Sequence, residues 1–344
     1  MKRRDFLARM ALSACATTLP GGAALARTAR PPRGRILILV ELQGGNDGLN
    51  TVVPFSDPLY RRLRGDLAIG RDDVVQLDEG LGLHPALAGL KSTWDQGELG
   101  IALGVGYPDP VLSHFRSIDI WNTASDSKET SETGWIASLL SGQRPAGNFG
   151  ADALCLDGRL GPLQGEGISA LVLKRPERFL RDARRYGAPG AESHNAALAH
   201  ILSVRARNGA AATDFSHVFE EASSRGDAPA PGFPAGAFGR QLQTAARLVR
   251  APVSAPVIKL SLGSFDTHAR QSAPHERLLR QLGDGLAALR RTLVSSGDWN
   301  RVLVMTYSEF GRRPKVNGSG GTDHGTASVH LALGGRVSGG FHGR

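Results

Sequence analysis

The chain has 344 residues with a formal net charge of +9, and 41% of them are hydrophobic and 21% charged. This composition is typical of a globular, soluble protein with one large domain or two ordinary ones. Aromatic residues are sparse at 6% and form no basic-aromatic platform, so specific nucleic-acid binding is not expected. The two cysteines, Cys15 and Cys155, exclude a metal site built from several thiolates.

The first 26 residues are predicted to be an export signal. Paired Arg3 and Arg4 precede Asp-Phe-Leu and an Ala-rich apolar stretch, and the segment ends in the small-x-small site Ala24-Leu25-Ala26. The paired arginines resemble a twin-arginine signal, which predicts the twin-arginine export machinery as a partner and a periplasmic or secreted location. Lipoprotein anchoring at Cys15 is the alternative. No stretch reaches about 20 apolar residues, so a transmembrane segment is not expected.

Residues 27–34 read as a linker, and residues 35–344 are predicted to form a single domain. The apolar run 35–42 predicts a buried strand, and residues 83–97 have the apolar spacing of a helix. A second strand follows at 99–106, and then a helix at 113–124 that begins at Ser113. This alternation of strands and helices is typical of an α/β protein with a parallel sheet.

The middle of the domain, about residues 143–250, is predicted to be a helical and Gly-rich insertion. Residues 143–167 are poorly periodic, 168–173 are a candidate strand, and 185–250 have helical patterns interrupted by a Pro/Gly cluster. Cys155 lies in this segment and is expected to be a buried apolar residue. Signal cleavage would leave it the only cysteine, so no internal disulfide is expected.

The α/β pattern resumes after the insertion. The sequence predicts a strand at 255–263, a long amphipathic helix at 275–297, a strand followed by a loop at 301–312, and a short strand at 328–335. Together with the earlier strands, these elements complete the predicted sheet.

Polar side chains follow several of these strands, where open parallel sheets bind their ligands. The first strand leads to Asn46-Asp47, and the strand at 255–263 leads to Asp266-x-His268, with His275 further on. The strand at 301–307 leads to Ser308-Glu309, and the loop "NGSGGTDHG" presents Asp323-His324. Each motif alone is explained as a turn or a cap. Together they predict one or two divalent ions, because carboxylate and imidazole ligands suit Zn, Mn, Mg or Ca.

The segments "VELQGGNDGLNTVVPFSDPLY", "LHPALAGL", "SHFRSIDIW", "SFDTHA", "SEFGR" and "GGTDHG" together resemble a family of twin-arginine-exported bacterial proteins of unknown function. That family belongs to the alkaline phosphatase, sulfatase and phosphoglycerate mutase superfamily, and the resemblance covers about residues 35–344. It implies a three-layer alkaline-phosphatase-like sandwich, in which a central, mostly parallel sheet has helices on both faces and metals at the carboxyl ends of its strands.

The resemblance also implies roles for the strand-end residues. Asp47 matches a ligand of one metal, and Asp266, His268 and His324 match ligands of the other. Glu309 stands where the superfamily has an Asp-His pair, but a phenylalanine follows it, so one imidazole is missing. The Asp-x-His spacing is also tighter than the Asp-x-x-x-His of phosphatases. Both departures concern the second metal.

Ser113 lies at the start of the helix after the second strand, which is the place of the superfamily's nucleophile. Its alternative role is that of a simple N-cap. His114 and Arg116 are candidates for holding an anionic group. His84 is assigned to the entry of its helix and His330 to strand packing.

These observations predict an exported metal-dependent hydrolase of phosphate or sulfate esters, acting on a small anionic ester. Ser113, or a hydroxide held by the metal, would attack the ester. The alternative is a non-catalytic exported binding or assembly protein that retains the fold and a degenerate metal site, which the departure at Glu309 favours. A minor third possibility is binding of polyanions by the basic surface, which would weaken steeply with salt and survive chelation.

Overall fold

The computed structural model describes residues 34–143, 145–147, 149–186, 194–223 and 232–343. The predicted signal segment and nearly all of the predicted linker lie outside these described residues. Within the described ranges, no helix combines the length and the apolar character needed to cross a membrane.

The strands of the described residues are mostly short, apart from those at the centre of the fold. The long central ones are apolar along nearly their whole length, as expected for strands that are covered on both faces. In chain order they are β1 Ile36–Leu42, β2 Val52–Val53, β3 Val75–Gln76, β4 Gly82–Leu83, β5 Leu99–Gly106, β6 Ala153–Cys155, β7 Ala170–Val172, β8 Val257–Leu262, β9 Val302–Tyr307, β10 Gly311–Val316, β11 Thr322–Gly325, β12 Ala327–Leu333 and β13 Gly340–Gly343.

An eight-stranded sheet runs through the described part of the chain in the order β13-β5-β12-β9-β1-β8-β6-β7. β1 lies at its centre with β8 and β9 as parallel neighbours. Parallel pairing continues from β8 through β6 to β7, whereas β12 is antiparallel to both β9 and β5. The sheet is therefore mostly parallel, as predicted.

The helices of the described residues cover both faces of this sheet. A 3-10 helix, Pro85–Leu90, precedes the second of them. The helices are α1 Pro58–Arg64, α2 Lys91–Asp95, α3 His114–Thr123, α4 Trp135–Gly142, α5 Pro176–Tyr186, α6 Ala196–Ser223, α7 Ala237–Arg250 and α8 Ser272–Ser295.

Alternate side chains of β1 point into two separate cores. Ile38 and Val40 pack in a core that includes Leu242 of α7 and Leu282 of α8. Leu39 points the other way, into a core shared with residues of α3 and α4. Since side chains alternate along a strand, one strand can serve both cores. The predicted three-layer α/β sandwich is confirmed.

Two segments differ from their predicted form. Residues 83–97, predicted as one helix, form the 3-10 helix followed by the short α2. Gly89 lies inside this segment, and a side chain there would be 3.3 Å from Ala287 Cβ, so the 3-10 helix packs closely on α8. The predicted insertion also contributes β6 and β7 to the main sheet. β7 coincides with the candidate strand predicted at 168–173, whereas β6 has three residues, too few for a period to be visible in the sequence.

The topology brings several chain connections to one edge of the sheet. β1, β8 and β9 are parallel, so their carboxyl ends meet at this edge. β5 runs antiparallel to β12, which is itself antiparallel to β9, so β5 also ends there and β12 begins there. The loops after these strands, and the β11 turn before β12, therefore face a common space.

Candidate metal centre

Three side chains from distant parts of the chain meet at this edge. His114 begins α3, Asp266 follows β8 and His324 lies in β11, and one ligand atom from each lies within 4.8 Å of the others. His324 Nε2 is 3.2 Å from Asp266 Oδ1, and His114 Nε2 is 3.4 Å from Asp266 Oδ2. Ligand atoms of a tetrahedral zinc site lie about 3.3–3.6 Å apart, given bonds of about 2.0–2.2 Å. We call these three residues the triad, and their spacing suits a single ion.

His268 adjoins the triad. Its Nε2 is 2.9 Å from Asp266 Oδ1 and 2.9 Å from His324 Nε2. Two imidazole nitrogens at that distance repel unless a proton or a cation lies between them. On the far side of the ring, His268 Nδ1 is 3.6 Å from Asp323 Oδ1. The predicted ligands Asp266, His268 and His324 are therefore brought together.

Hydrogen bonds fix the orientation of two imidazole rings in the triad. His324 Nδ1 lies 2.8 Å from the carbonyl oxygen of Leu112, and His114 Nδ1 lies 2.8 Å from Glu309 Oε1. A carbonyl or carboxylate oxygen only accepts, so each Nδ1 carries the hydrogen. In the neutral rings both Nε2 lone pairs then face Asp266, which is the arrangement of metal-binding histidines.

Glu309 contacts the triad through His114. Its side chain is 6% exposed, and its Oε1 also accepts the Gly44 N–H at 2.8 Å. The Ser308 hydroxyl lies 3.3 Å from the other oxygen. Glu309 thus orients His114, and its direct ligation of a metal stays a prediction.

Arg312 is a site residue that the sequence did not single out. Its buried guanidinium donates to Asp266 Oδ1 at 2.7 Å and to the carbonyl oxygens of Gly44, Phe265 and Thr322. Burial alone would raise the pKa of Asp266, but the hydrogen bond and the charge of Arg312, together with the nearby imidazoles, lower it to about 2. Arg312 therefore fastens three loops together and keeps the triad carboxylate ionised.

The loop after β1 fits tightly against the loop after β8. Gly44 has a φ of +114°, and a side chain there would lie 2.4 Å from the backbone nitrogen of Asp266. Only glycine adopts this backbone and allows this approach. The "GGNDG" motif thus serves to bring the two site loops together.

Asp47 lies apart from the triad, in a buried polar cluster. Arg64 binds its carboxylate in a bidentate pair, with Nη2 2.7 Å from Oδ1, and Gln271 donates to Oδ2. Burial would raise the pKa of Asp47, but the Arg64 charge and hydrogen bond lower it below its usual value. Both carboxylate oxygens are occupied by protein donors, and ligation of a metal by Asp47 stays a prediction.

This polar cluster includes His275, the secondary candidate of the sequence. His275 Nε2 is 3.0 Å from Asn46 Oδ1, and burial lowers the pKa of His275 to about 4. Gln271 links the cluster toward the triad, because its Oε1 accepts the Thr322 hydroxyl at 2.6 Å. His275 is therefore a neutral buried residue and lies outside the triad.

Two further histidines have the placement expected of them. His84 Nδ1 accepts the Ala86 N–H at 3.0 Å and so caps the 3-10 helix. His330 lies within β12, with its ring centroid 4.9 Å from that of Trp121. Burial lowers the pKa of His330 to about 3. Cys155 is buried in β6, as predicted.

The predicted nucleophile and anion-binding residues lie in the first turn of α3. Ser113 is exposed at the N-cap position, yet its hydroxyl makes no capping hydrogen bond. Its chain neighbours Leu112 and His114 both contact the triad. Arg116 instead donates to the carbonyl oxygens of Ser127 and Glu129 and so points toward that loop. His114 was expected to hold an anion but is placed as a triad member.

Comparison with known families gives one match over most of the chain. A family described as "Protein of unknown function (DUF1501)" matches residues 93–344, which include the whole triad. Among curated proteins, none matches the sequence.

Solved structures that match the chain include a protein in the alkaline phosphatase superfamily from Vibrio parahaemolyticus. The match has 12% identity and a TM-score of 0.36, and it covers 90% of this chain and 63% of that one. Phosphonoacetate hydrolase from Sinorhizobium meliloti 1021 has 13% identity and a TM-score of 0.32, with coverages of 83% and 58%. A TAB5 alkaline phosphatase mutant with bound Mg has 11% identity and a TM-score of 0.36, with coverages of 90% and 95%. The chain thus spans about three fifths of the length of the first two proteins.

Proposed function

The chain belongs to the DUF1501 family of proteins of unknown function, and from that premise we propose that it is an exported, metal-dependent hydrolase of phosphate or sulfate esters. The observation that carries the proposal is the meeting of His114, Asp266 and His324 at the carboxyl edge of the sheet. Sheet edges of this kind are where α/β proteins bind their ligands.

The triad fits a divalent ion. Two imidazole nitrogens and a carboxylate favour Zn²⁺ or Mn²⁺ over Mg²⁺ or Ca²⁺, and His268 is in reach as a further donor. A bound ion would supply Lewis-acid polarisation of the ester oxygen. Arg312 already balances the charge of Asp266, so the charge of the ion would remain available to an anionic substrate.

Ser113 is the best-placed nucleophile of the described residues. Ser113 is exposed, and its hydroxyl makes no capping hydrogen bond. In the chain it lies between Leu112, whose carbonyl oxygen contacts His324, and the triad residue His114. The backbone N–H groups of the first turn of α3 favour an anion at this point. Attack by Ser113 Oγ would form the new bond to phosphorus or sulfur while the ester oxygen leaves as the alcohol, taking up the hydroxyl proton through solvent. Water would then release the acid.

The test combines metal analysis with a substrate panel. The purified protein is loaded with Zn²⁺ or Mn²⁺, its metal content is measured, and phosphate and sulfate esters are assayed. We expect about one ion per chain and hydrolysis of one ester class. His114→Ala and His324→Ala should lose both, whereas His194→Ala, an exposed histidine outside the triad, should lose neither. Metal content that is unchanged in the triad variants would reject the site.

A second candidate function is supported by the arginine pairs. Arg64 balances Asp47 and Arg312 balances Asp266 without any metal. This arrangement suits a non-catalytic exported binding or assembly protein with a degenerate site. That alternative predicts weak or absent metal binding and no ester turnover in the same panel, so one experiment separates the two.

Export is tested independently of chemistry. Replacing both Arg3 and Arg4 by Lys should retain the protein in the cytoplasm of a bacterial host, as judged by cell fractionation. The same change at Arg27 and Arg30, beyond the predicted cleavage site, is the matched control and should leave export intact. Equal export of both variants would contradict the twin-arginine signal.

A further inference from the structure

A cleft of about 380 Å³ opens beside the triad, and His324 belongs to both. Its walls come from the loop after β1, from Gly104 in β5, from the start of β10 and from residues 324–329 of β11 and β12. Sites for small molecules usually have volumes of about 300–1,000 Å³, so a small organic group fits. The cleft therefore extends the candidate site away from the ion.

The walls of the cleft are apolar with a basic end. Among the described residues that line it, none is acidic, and the charged or ionisable ones are Arg312, Arg313 and His324. The remaining wall is built from glycines, Thr326, Ser328 and an apolar set: Leu49, Leu112, Pro314, Ala327 and Val329. A ligand that matches this lining has an anionic head and an apolar body.

Two glycines show that the walls are closely packed. A side chain at Gly325 would lie 2.4 Å from the Arg312 carbonyl carbon, and one at Gly48 would lie 3.0 Å from the Val329 nitrogen. Backbone therefore meets backbone at both places. The cleft is preformed, so binding in it requires little ordering of the protein.

A large apolar side chain is exposed next to His114 in the chain. Phe115 follows His114 in the first turn of α3 and is 84% exposed, the highest value among the exposed large apolar residues of the described chain. An aromatic ring left in water beside polar site residues favours contact with an apolar ligand.

We infer that the cleft binds the alcohol part of the ester, and that this part is an apolar group of hexyl or phenyl size. The inference rests on the proposed hydrolase function, which it narrows to apolar phosphate or sulfate esters. The anionic head lies at the His324 end, and the apolar alcohol lies against Leu49, Leu112 and Val329.

The first measurement compares hexyl phosphate with ethyl phosphate, and hexyl sulfate with ethyl sulfate, on the metal-loaded protein. The two alcohols have nearly equal acidity, so the ratio of kcat/KM reports binding of the chain. If half of the methylene groups that hexyl has and ethyl lacks are buried in the cleft, kcat/KM should be about tenfold higher for the hexyl ester. Equal kcat/KM values for hexyl and ethyl esters would overturn the inference while leaving the hydrolase proposal intact.

A variant localises the effect. Ala327 is exposed on the cleft wall, so Ala327→Phe fills the cleft without disturbing a core, and it should bring the hexyl-to-ethyl ratio close to one. Val294→Phe is the control, because Val294 is also a partly exposed apolar residue. It lies about 30 Å along α8 from the first turn, which is the end of the helix that follows the site loop. The control should keep the ratio of the unmodified protein, and a ratio unchanged in both variants would place the preference elsewhere.

Binding provides a readout that does not need turnover. Hexylphosphonate should bind the protein at least about tenfold more tightly than ethylphosphonate by titration calorimetry, and Ala327→Phe should remove the difference. If no ester is hydrolysed but this preference holds, the hydrolase proposal fails and the cleft assignment stands. Equal binding of both phosphonates would overturn the cleft assignment.

Discussion

In the triad, each imidazole nitrogen that faces away from Asp266 has a fixed oxygen partner. The Leu112 carbonyl holds His324, and Glu309 holds His114. Such partners set the tautomer and the direction of a metal-binding ring, and their loss typically weakens metal affinity about 10- to 100-fold. A carboxylate beside a metal site can thus act as a partner of a ligand without being a ligand itself.

Variants of Glu309 distinguish these two roles. If Glu309 only orients His114, Glu309→Gln keeps an oxygen acceptor for Nδ1 and should retain most of the metal affinity, whereas Glu309→Ala should lose about 10- to 100-fold. If Glu309 is a ligand, both variants should lose affinity to a similar extent. Competition with a chelating dye measures the affinity, and Glu276→Ala, a half-exposed position in α8, is the control.

A substitution at Asp47 tests whether this residue is a structural counter-charge or a metal ligand. In the described arrangement Asp47 is the counter-charge of a fully buried Arg64. Asp47→Asn should therefore lower the free energy of unfolding by about 3–5 kcal/mol, because Arg64 is left buried without its partner, while metal content stays unchanged. Adding Arg64→Met should recover part of this loss. Denaturant unfolding and elemental analysis measure the two effects, and loss of metal in a folded Asp47→Asn variant would instead make Asp47 a ligand.

Some of these residues were predictable and others were not, for a physical reason. Asp266 and His268 follow from the rule that parallel strands gather their carboxyl ends at one edge, whereas His324 lies in β11 and was singled out by an Asp-His pair in a glycine-rich loop. Arg312 and Arg64 carry no such signal, because a guanidinium on a strand or helix is by default a surface group. Their burial depends on carboxylates that come from other parts of the fold.

Among the strands, the polar interior of the sheet is concentrated around Lys259 of β8. Lys259 is buried and pairs with Glu41 of β1 and with Asp157, which follows β6. The Tyr307 hydroxyl donates to Glu41, and the Cys155 thiol to Asp157. Burial and the nearby Asp157 carboxylate raise the pKa of Cys155 to about 12, so this thiol is not a nucleophile at neutral pH.

These groups give the sheet a defined pH dependence. Burial would raise the pKa of Asp157, but Lys259 lowers it below 3.8, and burial would lower the pKa of Lys259, but Glu41 and Asp157 raise it above 10.5. A carboxyl group whose pKa is lowered by folding stabilises the fold at pH values above its pKa in the unfolded chain. That stabilisation is lost as the pH falls. A lysine whose pKa is raised by folding stabilises the fold at pH values below its pKa in the unfolded chain. That stabilisation is lost only as the pH rises beyond this pKa. The stabilisation is thus complete between these two values.

We expect Lys259→Met to destabilise the protein most at neutral pH. The change leaves Glu41 and Asp157 buried without a cation, at a cost of about 3–5 kcal/mol in the free energy of unfolding. The difference from the unmodified protein should shrink as the pH falls below about 4, where Asp157 takes up a proton. Lys91→Met, which breaks the exposed pair with Asp95, is the control and should cost less than about 1 kcal/mol. A pH-independent difference would contradict this account.

Long elements were predicted well and short ones were not. The predicted strands at 35–42, 99–106 and 255–263 are observed as β1, β5 and β8, because a run of six to eight apolar residues is too short for a typical buried helix and too apolar for a surface loop. β6, β10 and β13 escaped prediction. β6 and β13 pair with β8 and β5, which lie far away in sequence. β10 pairs with the nearby β11, but its residues are mostly polar and show no apolar alternation.

For the molecule as a whole, the alternation of strands and helices predicted an α/β protein with a parallel sheet, and the family resemblance implied the three layers. The antiparallel direction of β12 was not predicted, because the direction of a strand depends on the edge of the sheet at which the preceding connection ends. It matters for the site, because β12 begins at the edge where β1, β8 and β9 end. This reversal is what brings His324 to Asp266.

A bound ion would link three segments of the chain, at residues 114, 266 and 324, that lie far apart in sequence. An ion that binds the folded state alone stabilises it by an amount set by its concentration relative to Kd, about 2.7 kcal/mol at a hundredfold excess over Kd. We therefore expect Zn²⁺ or Mn²⁺ to raise the Tm by a few degrees. A chelator should reverse the rise, His324→Ala should abolish it, and His194→Ala should keep it. The same rise in His324→Ala would contradict the assignment of His324 as a ligand.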